Sequence, residues 1–366
     1  MKSPQTIRYG IVGSGMMAIE HIANLALTPG ATVAAIADPV AASLDRAAAA
    51  VGHDVARFGD AAALAASGLC DAVVVASPNF THAEVLRPLM AANLHILCEK
   101  PLATTIADAR AVAKAAAHYD PVVWTAMEYR FMPPVTEYVR QIRGGRIGRL
   151  QMLSIREHRF PFLVKVGDWN RFSANTGGTM TEKCCHFFDL MRHIIGAEPV
   201  RVFCSGAMDV NHQDERYDGK KPDIIDNSYT IVDFEDVDGR GGVRAMLDLC
   251  MFADGAEQQE EITATGDQAR LDCFIPSGEL VHSPRVGFMN AKRATRQIVH
   301  TDATALAAGQ HHGSTFYQHQ HFAAAVRGEG PVIVTADDGL RAVAIGIAAE
   351  TSAREHRVVA MAELGL

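Results

Sequence analysis

The opening third of the chain alternates short apolar runs with alanine-rich stretches of helical spacing, and this rhythm constrains the fold more than any other feature. The runs IRYGIVG, TVAAIAD, VARF, DAVVVAS, LHILCEK and PVVWTAM are separated by helical stretches at Met17 to Leu27, Ala41 to Ala50, Ala61 to Ala66, His82 to Ala92 and Ile106 to Ala117. Most of these runs are continuously apolar, as strands buried on both faces must be, and such strands joined by helices form a parallel sheet covered on both sides. The rhythm predicts an α/β fold that opens with a doubly wound Rossmann sheet over residues 1–122.

Beyond Trp124 the texture changes. RLQMLSIREHRF, PVRVFCSGAMDV, NSYTIVDFED and GVRAMLDLCMF are longer, alternate more, and are separated by Gly, Asp and Pro clusters, which reads as a large, mostly antiparallel open sheet. Helices are expected at Met180 to Ile195, Phe316 to Val326 and Ala336 to Ala353, making residues 123–366 a C-terminal α+β domain for substrate binding and oligomerisation. A length of 366 residues suits two such cores.

Composition narrows the partners. With 48% hydrophobic and 21% charged residues the chain folds throughout, and a net charge of -8 without a basic run argues against nucleic acid. Seven cysteines, odd in number and without CxxC spacing, indicate neither a disulfide framework nor a zinc ribbon, so a reducing compartment is expected. No stretch approaches the ~20 apolar residues of a membrane span, and the Ile7 to Val12 run is too short for a signal-peptide core. A cytoplasmic protein acting on small molecules is expected.

Gly13-Ser14-Gly15-Met16-Met17-Ala18 follows a strand and opens a helix. There the first glycine permits a tight turn, the second lets backbone approach a pyrophosphate, and a small third residue packs helix on strand. Asp38 ends the next strand, 25 residues after Gly13, where a carboxylate can hold an adenosine ribose diol. A carboxylate there repels a 2′-phosphate and Pro39, Val40 and Ala41 offer no cation, so the expected cofactor is NAD rather than NADP. Ser77-Pro78-Asn79, followed by His82, and Glu99-Lys100-Pro101 lie at further strand ends facing the same crevice.

The motifs GSGMM, ASPNFTH and EKPLATT, in this order, resemble those of the glucose-fructose oxidoreductase / inositol dehydrogenase / rhizopine catabolism family (Gfo/Idh/MocA). TGGTMTEKCCHFFDLMRHIIG and HFAAAVRGEGPVIVTADDGLRAVAIGIAAETS extend the resemblance over nearly the whole chain. It implies an NAD-dependent oxidoreductase and assigns Lys100 to both substrate and catalysis.

Oxidising a sugar hydroxyl by hydride transfer needs a base for the hydroxyl proton, a donor to steady the developing alkoxide, and a nicotinamide held against the carbinol carbon. Lys100, at a strand end in the crevice, is the first candidate. Glu182 and His186 lie four residues apart and Lys183 and His186 three apart, so on one helix they share a face. His186 is the expected general acid/base, with Glu182 orienting it or binding hydroxyls. Members of the family carry Asp in an Asp-x-x-x-His pattern; Glu182 with the added cation of Lys183 opens the way to an anionic substrate. Glu182, Cys184, Cys185 and His186 suggest no metal site, because adjacent helical cysteines diverge by about 100°. His311 and His312 border the pocket in this reading. Tyr129 and Arg159 fall where substrate walls are expected, and Trp169 is carried over from the family's Trp-Arg pair, here interrupted by Asn170.

The expected function is oxidation of a secondary hydroxyl of a sugar, sugar acid or cyclitol. The alternative is an NAD-dependent glycosidase of the same fold, which oxidises a ring hydroxyl transiently, eliminates the aglycone and returns the hydride, on an anionic or sulfosugar glycoside. An open sheet leaves one face to cover, predicting a homodimer or homotetramer.

Overall fold

A computed structural model describes residues 6–366 and contains two sheets. The first has six parallel strands, β1 (Ile7–Val12), β2 (Ala31–Ala37), β3 (Ala56–Phe58), β4 (Ala72–Val75), β5 (His95–Cys98) and β6 (Val123–Thr125), in the order β3-β2-β1-β4-β5-β6. This is the doubly wound order, with its switch point between β1 and β4. Register makes the strand ends level: Val12 pairs with Ala37 and with Val75, and Val75 with Cys98. The turns that follow, bearing Gly13, Asp38, Ser77 and Glu99, therefore open on one edge. The sixth strand lies just past the expected junction at residue 122/123, so the parallel sheet continues to Thr125.

The second sheet has nine strands: β7 (Leu150–His158), β8 (Pro199–Ala207), β9 (Asn227–Phe234), β10 (Arg244–Cys250), β11 (Glu260–Gly266), β12 (Ala269–Ile275), β13 (Glu279–Pro284), β14 (Thr295–Ile298) and β15 (Val359–Ala360). Its order is β14-β13-β12-β11-β7-β10-β9-β8-β15; β7 and β10 run parallel and the other neighbours antiparallel. Alternate residues point inward, among them Leu153, Ile155 and Glu157 on β7 and Ala245, Leu247 and Leu249 on β10. The helices Cys185–Ile195 and Ala336–Glu355 bury Phe187, Phe188, Ala344 and Ala348 against this face.

The chain then returns to the first sheet. Phe322 and Ala323, on the helix Ser314–Val326, join Tyr9, Ile11, Leu97 and Trp124 in one apolar cluster, closing a sheet face that needs covering. Each such large side chain contributes roughly 1.5–3 kcal/mol by leaving water. Among the described residues no helix is long and apolar enough to cross a membrane.

The helix expected over Met180 to Ile195 is two. Thr179–Glu182 ends at Lys183, and Cys185–Ile195 begins after Cys184. The amides of Lys183 and Cys184 both donate to Thr179 O, at 2.9 and 3.2 Å, and the second bond spans five residues in the manner of a π-bulge. This slip removes the four-residue face on which Glu182 and His186 were expected to meet.

Candidate active site

The cradle for a dinucleotide begins at Gly13. Its φ of +86° lies in the left-handed region, and a Cβ there would stand 2.4 Å from the backbone of Ser77, so only glycine fits. A Cβ on Gly15, by contrast, would meet nothing within 4 Å; the space beside it is open. Gly15 caps the helix Met16–Leu27 without any side-chain hydrogen bond, which leaves the first-turn amides, with Met16 and Met17, free for an anion. Asp38 braces this turn, accepting Ser14 N at 2.7 Å and Val40 N at 2.8 Å. Ser14 Oγ and Asn79 Nδ2 are buried without partners. Free amides, open space beside a glycine and unpaired buried donors fit the diphosphate and riboses of NAD.

Other expected cofactor residues support the crevice from behind. The His82 ring nitrogens face Ser77 O at 3.0 Å and Pro101 O at 2.8 Å, linking the turn after β4, including Pro78, to the turn after β5. Burial depresses this imidazole, which is therefore neutral and donates to one of the two carbonyls at a time. Glu99 faces inward, its Oε1 2.9 Å from His21 Nε2 and its Oε2 accepting Lys100 N at 3.1 Å. His21 in turn meets His319 Nε2 at 2.9 Å, giving a buried polar chain with no counterpart in the sequence reading. Trp169 lies edge-on to Phe80 at 6.2 Å, with Lys165 Nζ 5.6 Å from its ring centroid.

The break after Glu182 builds the centre. The Glu182 carbonyl accepts Lys100 Nζ at 3.1 Å, which joins the turn after β5 to the second domain's helices. Burial disfavours the Lys100 charge, but Cys185, Glu99, Glu128 and Glu182 outweigh it and hold the ammonium above its ordinary value. His186 is sealed, and burial, then Lys100 and Lys183, push its imidazole well below the usual range, so it is neutral. Its ring stacks on Tyr129 at 4.3 Å with an interplanar angle of 6°.

The carboxylate facing His186 is Glu128, not Glu182: Glu128 Oε1 lies 3.5 Å from His186 Nε2. The expected Glu182 orientation of the imidazole is thus corrected, the bulge having turned the two apart. Glu182 instead turns a buried, unpaired Oε2 toward other cations. Burial raises its carboxyl, opposed by Lys165, Lys100 and Arg171.

Lys183 is corrected as well. Its Nζ lies 3.0 Å from Glu157 Oε1 and donates to Tyr129 Oη at 2.7 Å, so it is a compensated ion rather than a free cation. Burial still lowers it, with Glu157 opposing. Glu157 sits directly opposite Glu260 across β7 and β11, a like-charge pair that would be costly alone. Lys183 and Arg159, whose Nη1 is 3.5 Å from Glu157 Oε1, supply the positive charge between them. Burial, then Glu157, pushes Glu260 up to about 7. His311 joins Glu20 at 2.7 Å and His312 approaches Glu260 at 3.8 Å, both at the rim.

Residues 7–127 match the model of the Gfo/Idh/MocA oxidoreductase family, NAD-binding Rossmann fold, and residues 139–361 match that family's C-terminal alpha/beta domain. The rhizopine catabolism protein MocA of Rhizobium meliloti is 32% identical over 52% of this chain and 58% of its own length. The inositol 2-dehydrogenase of Rhizobium meliloti is 29% identical over 56% of this chain and 59% of its own, so these two alignments span under two thirds of those relatives. The myo-inositol 2-dehydrogenase of Thermotoga maritima is 26% identical over 98% of this chain and 99% of its own. Among solved structures, a levoglucosan dehydrogenase in complex with NADH and levoglucosan superposes with a TM-score of 0.82 at 19% identity, covering 98% of this chain and 100% of that one. At that identity the likeness speaks for the fold.

Proposed function

The chain belongs to the Gfo/Idh/MocA oxidoreductase family, with an NAD-binding Rossmann domain, and from that premise we propose that it oxidises a secondary hydroxyl of a sugar, sugar acid or cyclitol. The observation that carries this reading is the set of buried polar atoms without partners around Lys100: His186 Nδ1 and Glu182 Oε2. Both accept hydrogen bonds, and a polyhydroxylated ring is the ligand that brings several O–H donors at once. Relatives named inositol 2-dehydrogenase and myo-inositol 2-dehydrogenase support the same substrate class.

Bound NAD supplies the electrophilic nicotinamide that takes the hydride. Everything else belongs to the chain. Neutral His186 accepts the hydroxyl proton at Nδ1, which only an uncharged imidazole can do. Lys100, held charged by its acidic neighbours, steadies the alkoxide oxygen as negative charge develops. Glu182 accepts from a neighbouring hydroxyl. Tyr129 and Lys183 form one wall; with Glu157 neutralising it, Lys183 offers an N–H to a hydroxyl rather than a net charge to an anion. Arg159 borders the same wall, and Trp169 with Phe80 closes the crevice opposite. In this assignment Gly13, Gly15, Met16, Met17, Asp38, Ser77, Pro78 and Asn79 hold the dinucleotide while His82 and Glu99 support the turns that do so.

We further propose a homodimer or homotetramer through the outer face of the nine-stranded sheet. Phe203, Ile231 and Met246 are exposed and stand side by side across β8, β9 and β10, with Tyr229 and Met152 near them. Such a row is an apolar patch that a second copy would cover.

Incubating the protein with NAD and a panel of cyclitols, sugars and sugar acids tests the reaction. NADH forming mole for mole with a ketone is expected. Cleavage of a glycoside without net NADH would overturn it in favour of the redox-neutral glycosidase.

A further inference from the structure

Oxidation of a hydroxyl releases one proton per turnover, and the group that first receives it, in the reading above on which this inference rests, is sealed from solvent. His186 is 2% exposed, and so is Glu128, whose Oε1 is 3.5 Å from His186 Nε2. Three features show that this pair is not a packing accident. The imidazole stacks parallel on Tyr129 at 4.3 Å, which fixes the plane of the ring. His186 Nδ1 has no partner on the opposite side of the ring, and Glu128 Oε2 has none either. A buried carboxylate left with one free oxygen is costly unless it is used.

We propose that Glu128 is the proton-accepting partner of His186, completing a relay that runs from the substrate hydroxyl through the imidazole to a buried carboxylate. A neutral imidazole carries one N–H. With that hydrogen on Nε2, facing Glu128, Nδ1 is the lone pair that meets the substrate. As the substrate O–H breaks and Nδ1–H forms, Nε2–H breaks and its proton passes to Glu128 Oε1. The imidazole ends neutral in its other tautomer, and Glu128 changes from carboxylate to carboxylic acid. Only a proton moves along this path; the electron pair of the carbinol C–H leaves with the hydride. The relay explains how a histidine depressed well below its usual range can serve as a base, since it never holds both protons.

The surroundings of Glu128 suit it to take and release a proton near neutrality. Burial, then the Glu99 carboxylate, pushes it up to about 7, against His311 and Lys100. The titratable groups that face it are its neighbour Tyr129, Glu99 and Lys100 from the turn after β5, Cys185 and His186 from the helix Cys185–Ile195, and His311 from the segment before the helix Ser314–Val326. Of these, Lys100 and His311 are only partly buried, His311 with its side chain 27% exposed and paired with Glu20. When product leaves, water entering the pocket takes the proton from Nδ1 as Glu128 Oε1 returns its own to Nε2, so the imidazole regains its starting tautomer and one proton per turnover reaches solvent. The 3.5 Å separation is long for a hydrogen bond, as such contacts often are before substrate binds.

The variants Glu128→Gln and Glu128→Asp test the relay. In Glu128→Gln we expect kcat to fall roughly 10- to 100-fold with KM and NAD affinity unchanged, and the limb of the pH–rate profile near neutrality to disappear. Glu128→Asp should recover part of the rate and keep the limb. Infrared difference spectra of the ligand-free protein, below against above neutrality, should show a protonated-carboxyl band that Glu128→Gln removes and Glu128→Asp shifts. Unchanged kcat and pH profile in Glu128→Gln, or the same carboxyl bands in both variants, would overturn the relay while leaving the dehydrogenase reading intact. A wild-type protein that oxidises no polyhydroxylated substrate would overturn that reading, and the infrared spectra would still decide whether Glu128 titrates as described.

Discussion

At the scale of single residues, function turns on which charges are compensated. Lys100 is held charged by Glu99, Glu128 and Glu182 among its neighbours, whereas Lys183 is spoken for by Glu157. Lys100→Met should lower kcat by about 10²–10⁴-fold while NAD affinity, followed by fluorescence titration, stays within several-fold of wild type. Asp38 accepts two backbone amides and still has lone pairs for a ribose diol. Replacing it by serine removes the charge that repels a 2′-phosphate, and the ratio of kcat/KM for NAD over NADP should fall roughly 10- to 100-fold. Lys100 and Asp38 could be placed beside the crevice because each stands at a strand end, whereas the helical spacing that singled out His186 paired it with Glu182, which the bulge undoes. Glu128 was not legible, although a lone acid inside the apolar run WTAMEYRFM is a signal of a kind. Glu157 and Glu260 carried a clearer one, being charges at inward positions of alternating strands. Lys165 lies on an irregular loop, where no periodicity says which way a side chain points.

At the scale of elements, two glycines of one turn separate stability from binding. Gly13→Ala places a Cβ against the Ser77 backbone at a positive φ and should cost about 2 kcal/mol or more in urea unfolding. Gly15→Ala meets open space, so it should leave the unfolding curve alone and weaken NAD binding. The strands of the first sheet could be read from apolar runs because burial on both faces imposes them. The break at Lys183 and Cys184 could not be read, since it depends on where Thr179 O is held and on Lys100 reaching in to take the Glu182 carbonyl. Glu350, on the helix Ala336–Glu355, braces the same region by accepting Met180 N at 2.9 Å. Burial pushes its carboxyl up to about 7. Because the folded form holds its proton more tightly than the unfolded chain, stability contributed here declines as pH rises from about 4.5 to about 7, by at most about 3 kcal/mol. Melting curves of Glu350→Gln should show a flatter dependence on pH over that window.

At the scale of the whole molecule, one chain brings together a cradle built from the turns of a parallel sheet and a pocket built from charges on an open one. The open sheet's outer row gives a prediction of its own: Ile231→Asp should shift sedimentation velocity from the dimer or tetramer toward the monomer, and an unchanged oligomer would place the interface elsewhere. The pairing of two sheets was visible in the change of texture after Trp124. The return of Phe322 to cover β1 was not, because helical periodicity shows that a face is apolar but not which sheet it meets. The central claim is that the carbinol carbon of a polyhydroxylated ring gives its hydrogen permanently to NAD as hydride. It is tested most directly by following deuterium placed on the carbinol carbon of each substrate in the panel. The label is expected to appear in the reduced dinucleotide in step with ketone formation, with a slowed rate for the labelled compound. Label retained in the carbohydrate, with no reduced dinucleotide accumulating, would contradict it.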